Sequence, residues 1–357
     1  MPPTEPPSPP SPKEIKDLHR LAAGIIRTQG NRFIKELLRA KKIPIGSNKA
    51  DFERNLKSAI EQGQLRLADV EAWLEKVEGW GDQHVYLYNL SPQIQAKLDP
   101  VAISKKVREA ALTELWNKPT LLEFPEAPTL TSIAFKDSVL RLVWQESSPG
   151  WTPVPNKNYT QQEGLDFYEY RAFRKVERRA VTRFEAHLPL GLGALFVAKP
   201  IQGGEHQAAV AEVKRVLDLL IPLKELETNQ VDISVVSRNL DQRNIPTKKR
   251  PKPSVRTQKS RLAAGGSYVE FAASSKDKAY WQEPAIQGVR KSVRTQQQLN
   301  AFQGMDGVFL FQPGSAKGSL SRPLRVQLYG RNDRIRLWAQ MDAGEVWKIL
   351  TDLATYQ

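Results

Sequence analysis

Apolar residues change their spacing once along this chain, and that change bounds the folds open to it. Up to about residue 117 they recur at three- and four-residue steps, as in Ile15, Leu18, Leu21, Ala22, Ile25 and Ile26, the mark of helices that bury one face. From Ser132 onward they alternate or run in short blocks between turn residues, at 132–144, 165–173, 180–189 and 193–198, the mark of strands. Three prolines separate the two regimes. The pattern predicts an α+β, multidomain chain: a Pro-rich disordered tail at 1–12, an all-α domain at 13–118, a linker at 119–131 and a β-rich α+β domain at 132–357.

Within the first part, a helix is expected after Gly30, capped by Asn31 and burying Phe33, Ile34, Leu37 and Leu38. Pro44 stops it by Ile43, because proline pushes its predecessor out of the helical region. A third helix over 49–62 buries Phe52, Leu56, Ala59 and Ile60 and ends at Gly63; a fourth covers 67–78. Ser91-Pro92 and Asp99-Pro100 each read as a cap followed by proline at the first helical position. Farther on, helices are expected at 207–220, 292–302 and 343–354, and strands at 231–236, 269–273, 308–312, 324–329 and 335–339. The stretch 243–261 carries three prolines and dense Lys and Arg, and is expected as a flexible basic loop.

Composition narrows the chemistry. There is no cysteine, so disulfides, thiolate zinc sites and cysteine nucleophiles are out. The four histidines, His19, His84, His187 and His206, have no metal-ligand spacing. No phosphate-loop, nucleophile-elbow or zincin motif occurs, and no run of apolar residues is long enough to cross a bilayer. The chain therefore reads as non-catalytic, without metal or cofactor, and cytoplasmic, or nuclear if its source is eukaryotic.

Charge is the positive signal. Lys and Arg number 53 against 39 Asp and Glu, a formal net charge of +14. Residues 13–66 hold thirteen cations against six acids, a balance of +7, and residues 238–261 hold nine against Asp241 alone, a balance of +8. The remainder is close to neutral. Two concentrated basic windows on a neutral background point to a polyanionic partner.

The first window contains FIKELLRAKKIPIGSNKADFERNL, residues 33–56. Leu37 and Leu38, Lys41 and Lys42, Ile43, Ile45, Gly46, Lys49, Phe52 and Leu56 form a pattern that resembles the SAP-type module, within the SAP, LEM and HeH group of helix-extended-loop-helix domains, over residues 31–63. The resemblance implies double-stranded DNA binding through the loop and the amino end of the second helix. The chemistry of the residues points the same way: Gly46, Ser47, Asn48 and Lys49 make a phosphate seat at a helix amino terminus, with Lys35, Arg39, Lys41, Lys42, Arg54 and Lys57 around it. None is an obvious base reader, so little base specificity is expected. In the second window, Lys248, Lys249, Arg250, Lys252, Arg256, Lys259 and Arg261 are expected to act as a cationic arm along the phosphates.

Other readings stay open. Phe167, Tyr168, Tyr170, Phe173 and Phe184 interleave with Arg171, Arg174, Lys175, Arg178, Arg179 and Arg183. They are expected as the core side of a hairpin with arginines outside; a base-stacking surface for RNA or single-stranded DNA is the alternative. A metal-dependent nuclease, or a subunit of one, would draw on Asp166, Glu169, Glu185, Glu212 and Lys214. A LEM-like module, or the carboxy-terminal domain, could instead bind protein. No membrane partner is expected.

Overall fold

In the computed structural model, the structure describes residues 11–117, 125–198, 206–243, 255–264, 267–273, 279, 282–295, 303–313 and 320–357. The chain is α+β, with a large antiparallel sheet and helices on both of its faces. Among the described residues, no helix is long and apolar enough to cross a membrane.

Four helices open it: α1 (Pro12–Thr28), α2 (Asn31–Ala40), α3 (Lys49–Glu61) and α4 (Leu67–Val77). Their spaced apolar residues, among them Leu18, Ile34, Leu38, Phe52, Leu56 and Val70, meet in one core. Ser11 caps α1 by accepting from the Glu14 amide, and Pro12 takes the first helical position, where its missing N–H costs nothing. Asn48 caps α3, and Gly63 follows its end at φ +67°, a conformation in which glycine is favoured. The cap of α2 is Gly30 rather than Asn31; lacking a side chain to fold back, its amide donates instead to Gln340 Oε1.

The helical regime gives way earlier than the boundary expected at 119–131. Strand β1 (Gln83–Asn89) lies in the interior of the sheet, paired with β7 (Leu192–Ala198) on one side and β12 (Arg334–Leu337) on the other. The full strand order is β2-β3-β6-β7-β1-β12-β11-β10-β8-β9, all neighbours antiparallel. The further strands are β2 (Thr129–Lys136), β3 (Val139–Pro153), β6 (Phe173–His187), β8 (Val255–Ala264), β9 (Ser267–Ala272), β10 (Gln303–Phe311) and β11 (Leu324–Tyr329), while β4 (Tyr159–Glu163) and β5 (Asp166–Tyr170) form a separate hairpin.

Alternation along the central strands divides the packing. Leu195, Val197 and Tyr88 point to one core, which also takes residues of α5 (Pro92–Lys97), α6 (Pro100–Glu109), α7 (His206–Leu220) and α8 (Leu223–Thr228). Ala194, Phe196, Val85 and Leu87 point to the other, shared with α9 (Ile233–Arg243) and α11 (Ala343–Ala354). Residues one apart on a strand face opposite sides, so the helices cover different halves of the two faces. Helix α10 (Pro284–Thr295) starts well before the expected 292.

Two further expectations change. Residues 231–236 begin α9 rather than a strand, because the Asp232 carboxylate accepts from the amides of Ser234 and Val235 and starts a helix whose Ile233, Val236 and Leu240 are buried. Residues 255–264 are not loop but β8, with Val255, Thr257 and Ser260 buried against the sheet and the cations between them.

A buried ion cluster fastens the sheet to the last helix. Glu185, 1% exposed at its side chain, pairs with Arg141, with Arg183 at 3.6 Å and with His187 at 3.2 Å, and accepts from Trp347 Nε1 at 2.9 Å. Burial alone would raise its pKa; the His187 hydrogen bond and the charges of Arg183 and Arg141 outweigh that and bring it down to about 2. Because this folded value lies below the ordinary 4.5, the ionised group stabilises the fold above that pH, and its contribution is lost as pH falls from about 4.5 toward 2. Glu185→Gln is expected to cost about 3 kcal/mol at neutral pH, with the gap from the parent closing across that acid window. Denaturant unfolding at a series of pH values measures it; a pH-independent gap would contradict the assignment.

Candidate nucleic-acid interface

The loop between α2 and α3 is closed upon itself. Asp51 Oδ2 accepts from the Ser47 amide at 2.9 Å, Asn48 Oδ1 accepts from the Asp51 amide at 3.0 Å, and a Cβ on Gly46 would stand 2.0 Å from that of Asp51. A carboxylate of the chain itself thus occupies the helix amino terminus where a phosphate was expected. The Ser47 amide hydrogen bond, with Arg54 nearby, lowers the Asp51 pKa and keeps the group charged. Lys49 turns away from the loop, its Nζ 3.3 Å from the Gln29 carbonyl, and desolvation lowers its pKa.

The cations around the loop divide into two sets. Lys41 pairs with Asp69, Arg54 with Asp51 at 2.8 Å, and Lys57 with Glu53 at 3.0 Å. Lys35 and Arg39 instead stand one turn apart on α2, and Lys42 lies just past its end in a left-handed turn at φ +55°. Lys35 lies over the Phe52 ring, 5.9 Å from its centroid, while Arg39 and Lys42 are exposed.

Of the second window, Lys248, Lys249, Arg250 and Lys252 lie outside the described residues. Arg256, Lys259 and Arg261 are held on β8 rather than on a flexible arm. Lys259 and Arg261 both reach Glu270, at 2.9 and 3.1 Å, and Arg261 also lies 3.7 Å from Asp306. These groups border a cavity of about 150 Å³ with Gln327 and Tyr329. Two cations face two carboxylates there, so the cavity by itself does not select an anion.

The structure adds cations that sequence reasoning passed over as strand residues. On β11 and β12, Arg325, Gln327 and Tyr329 alternate with core residues; Gln327 stands across from Arg336 and Tyr329 from Arg334, and Trp338 follows β12. Arg325 lies 5.7 Å and Arg336 5.4 Å from the Trp338 ring centroid, and Arg334 lies 4.7 Å from that of Tyr329. Arg336 is buried and bonded to Asp82, whereas Arg325 and Trp338 are exposed. Helices α9 and α11 pack against the other face of these strands. The signal in the sequence is the period-two placement of Arg in Leu-Arg-Val-Gln-Leu-Tyr and Arg-Ile-Arg-Leu-Trp.

This ladder ends beside the helical bundle. Two residues past Trp338, Gln340 accepts from the Gly30 amide at the start of α2 and, through its own carbonyl, from Arg322. Close by, Arg32 of α2 bridges Asp342 at 3.2 Å and Glu345 at 3.0 Å at the start of α11.

The hairpin aromatics do not follow the core expectation. Phe184 is buried, but Phe167, Tyr168, Tyr170 and Phe173 are exposed; Arg183 is buried over the Trp80 ring and donates to the Glu78 carbonyl, Arg171 and Arg174 are exposed, and the side chains of Lys175, Arg178 and Arg179 lie outside the described residues. Of the carboxylates a nuclease would need, that of Glu212 lies outside the described residues, and Glu185 is kept apart from Asp166 and Glu169. Glu185 is held by its ion pairs, and Asp166 and Glu169 lie on the tip hairpin, beyond Phe173, twelve strand residues or about 40 Å along the ribbon. Lys214 pairs with Glu227, and no group of three or more metal-ligating side chains occurs among the described residues.

No family model matches the chain, and no curated protein matches it.

Removing the carboxylate from the loop tests what the seat can do. Asp51→Ala is expected to raise affinity for a short DNA duplex at low salt by about threefold, since it frees the Ser47 amide and the positive end of α3. A fall in affinity would mean that Asp51 builds the contact surface rather than filling it.

Proposed function

We propose that this chain is a non-catalytic protein that binds duplex DNA along its phosphates, with little base specificity. The observation that carries the reading is the pair of guanidinium groups held over ring faces, Arg325 on Trp338 and Arg334 on Tyr329, beside the Gln340 contact with α2. A guanidinium stacked on a ring loses little freedom on meeting a phosphate; Arg325 is exposed, whereas Arg334 is half-buried, its Nε turned inward and its side chain bonded to Tyr86. Lys35 and Arg39 on α2, with Lys42 just past its end, would add cations to this path, so the SAP-like pair of helices would act through them instead of the amino end of α3.

Exposed ion pairs are weak, worth about 0–1 kcal/mol. Arg54, 74% exposed at its side chain, and Lys57 can therefore leave Asp51 and Glu53 for a phosphate at small cost. Lys248, Lys249, Arg250 and Lys252 add charge for further phosphates. Nothing in this set reads a base edge in a defined groove, which is why contacts to the backbone dominate. The reading places the chain with the nucleoid or, in a eukaryote, in the nucleus.

Fluorescence anisotropy with short duplexes across a salt series tests it. Affinity is expected to fall with a log–log slope of about −0.9 per neutralised phosphate. Arg325→Ala with Arg334→Ala should weaken binding about tenfold and reduce the slope by about two; reversing charge at Lys35, Arg39 and Lys42 should do at least as much. Duplexes of different sequence should bind alike. Affinity and slope left unchanged by both sets of substitutions would overturn the reading, and a preference for RNA or single strands would replace its partner.

A further inference from the structure

Helices α1 to α4 carry their own core. Its residues all fall between Ile15 and Val77, and among the described residues neither sheet core takes a side chain from these helices. Helix α1 lies against β6, and Gly79 stands beside Val181 and Arg183. The sheet face there is rich in polar groups: Gln83, Gln145, Ser147 and Arg183 are buried on it beside Val143 and Val181. With little shared apolar core, the relative placement of bundle and sheet falls to specific bonds.

Arg32 makes several of those bonds at once. It stands in the first turn of α2, and each of its guanidinium nitrogens is engaged: Nε with Glu36 at 3.3 Å, one terminal nitrogen with Ser321 at 2.7 Å and Glu345 at 3.0 Å, and the other with Asp342 at 3.2 Å. Asp342 and Glu345 begin α11, and Ser321 itself donates to Glu345. The Glu345 side chain is only 6% exposed, so its pairing is costlier to break than an exposed one. Two residues before Arg32, the Gly30 amide donates to Gln340 Oε1, and the neighbouring Arg322 donates to the Gln340 carbonyl. Three carboxylates thus share the Arg32 guanidinium, which is committed to the protein and not to a phosphate.

The placement of α2 decides where its cations stand. Lys35 and Arg39 follow Arg32 by three and seven residues, along one side of the helix. Arg39 is therefore about 10 Å farther along the axis, and a small turn of α2 about its amino end would displace Arg39 far more than Arg32.

We infer that Arg32 is a positioning residue for the proposed nucleic-acid interface. It meets no phosphate; by fixing α2 to the start of α11 it holds Lys35 and Arg39 at a set distance from Arg325, so that one duplex meets both groups. This role rests on the reading of the chain as a DNA-binding protein. Two cationic patches held at a fixed spacing bind one polyanion more tightly than the same patches joined by a loose tether, because less freedom is lost on the second contact.

The chain has no cysteine, so spin labels at Ala40→Cys on α2 and Lys348→Cys on α11, both exposed positions, are unique. Pulsed electron paramagnetic resonance of the full chain then measures the spacing of the two helices without DNA, and a narrow distance distribution is expected. Arg32→Gln should broaden it and weaken duplex binding about tenfold, with the log–log salt slope close to the parent's because no phosphate contact is lost. Arg32→Lys, which keeps the charge without the fork, should recover part of both. Gln340→Ala, which changes the sheet side and leaves α2 intact, should act in the same direction as Arg32→Gln. In a chain already carrying Lys35→Ala and Arg39→Ala, Arg32→Gln should change affinity no further. A distribution that stays narrow in Arg32→Gln overturns the docking role, and a salt slope that falls by about one at the same time makes Arg32 a phosphate contact instead. Broadening without loss of affinity overturns the positioning role. A parent chain that binds no duplex removes the DNA reading and the positioning role with it, while the labels still report whether Arg32 holds α2.

Discussion

A buried carboxylate must be paired or the fold loses several kcal/mol, and Glu185 meets that demand with groups from three directions. Arg141 comes from β3, Arg183 and His187 from its own strand, and the Trp347 indole from the terminal helix. Trp347 also packs on His187, at 3.9 Å between ring centroids, and edge-on against Phe196. The carboxylate therefore fixes where α11 lies on the sheet. That in turn sets Asp342 and Glu345 at the start of α11, which hold Arg32 of α2. Arg183 carries the same cluster toward the bundle through the Glu78 carbonyl and the Trp80 ring.

The connector between bundle and sheet is held as tightly. Gly81 has φ +78°, and a Cβ there would stand 2.1 Å from the Ala339 carbonyl oxygen, so residues 80–82 can run alongside 339–341 only with glycine at this place. The Asp82 amide donates to the Ala339 carbonyl, and Arg336 bonds both the Asp82 carbonyl and its carboxylate. The end of β12, the first turn of α2 and the start of α11 are thus tied at one corner of the molecule. Cations at that corner sit on pieces tied to one another by these bonds, an arrangement that would fix the spacing of the proposed phosphate contacts.

Local signals were legible where the partner of a residue lies nearby in the chain. The apolar stripes of α1 to α4, the Ser91-Pro92 and Asp99-Pro100 starts and the closing strands with α11 were readable because periodicity and caps are short-range effects. What failed depended on distant partners. Residues 85–88 read as a short strand or extended piece, and they are strand, but the place of β1 inside the sheet was not legible, since its neighbours β7 and β12 lie more than a hundred and about two hundred and fifty residues onward. Strand β8 read as loop because its cations hid the small buried residues between them. The pentapeptide Ser-Val-Arg-Thr-Gln occurs at 254–258 and 292–296; the described part of the first copy is strand and that of the second is helix, which shows how far surroundings override local preference. On the β4–β5 hairpin and the start of β6, alternation was read as one buried side, but Phe167, Tyr168, Tyr170 and Phe173 are exposed. At the expected phosphate seat the sequence did not show one neighbour: Asp51, in the first turn of α3, is the kind of acid a helix start attracts, and it accepts from the Ser47 amide.

The account rests on the proposal that guanidinium groups of β11 and β12 meet phosphates. Modification of the full chain by an arginine-selective dicarbonyl reagent, with and without a DNA duplex and read residue by residue by mass spectrometry, tests this most directly. Protection of Arg325 and Arg334, together with Arg39 on α2, and continued reactivity of Arg171 at the end of the β4–β5 hairpin is the predicted pattern. Equal reactivity of Arg325 and Arg334 in the presence and absence of bound duplex would contradict it.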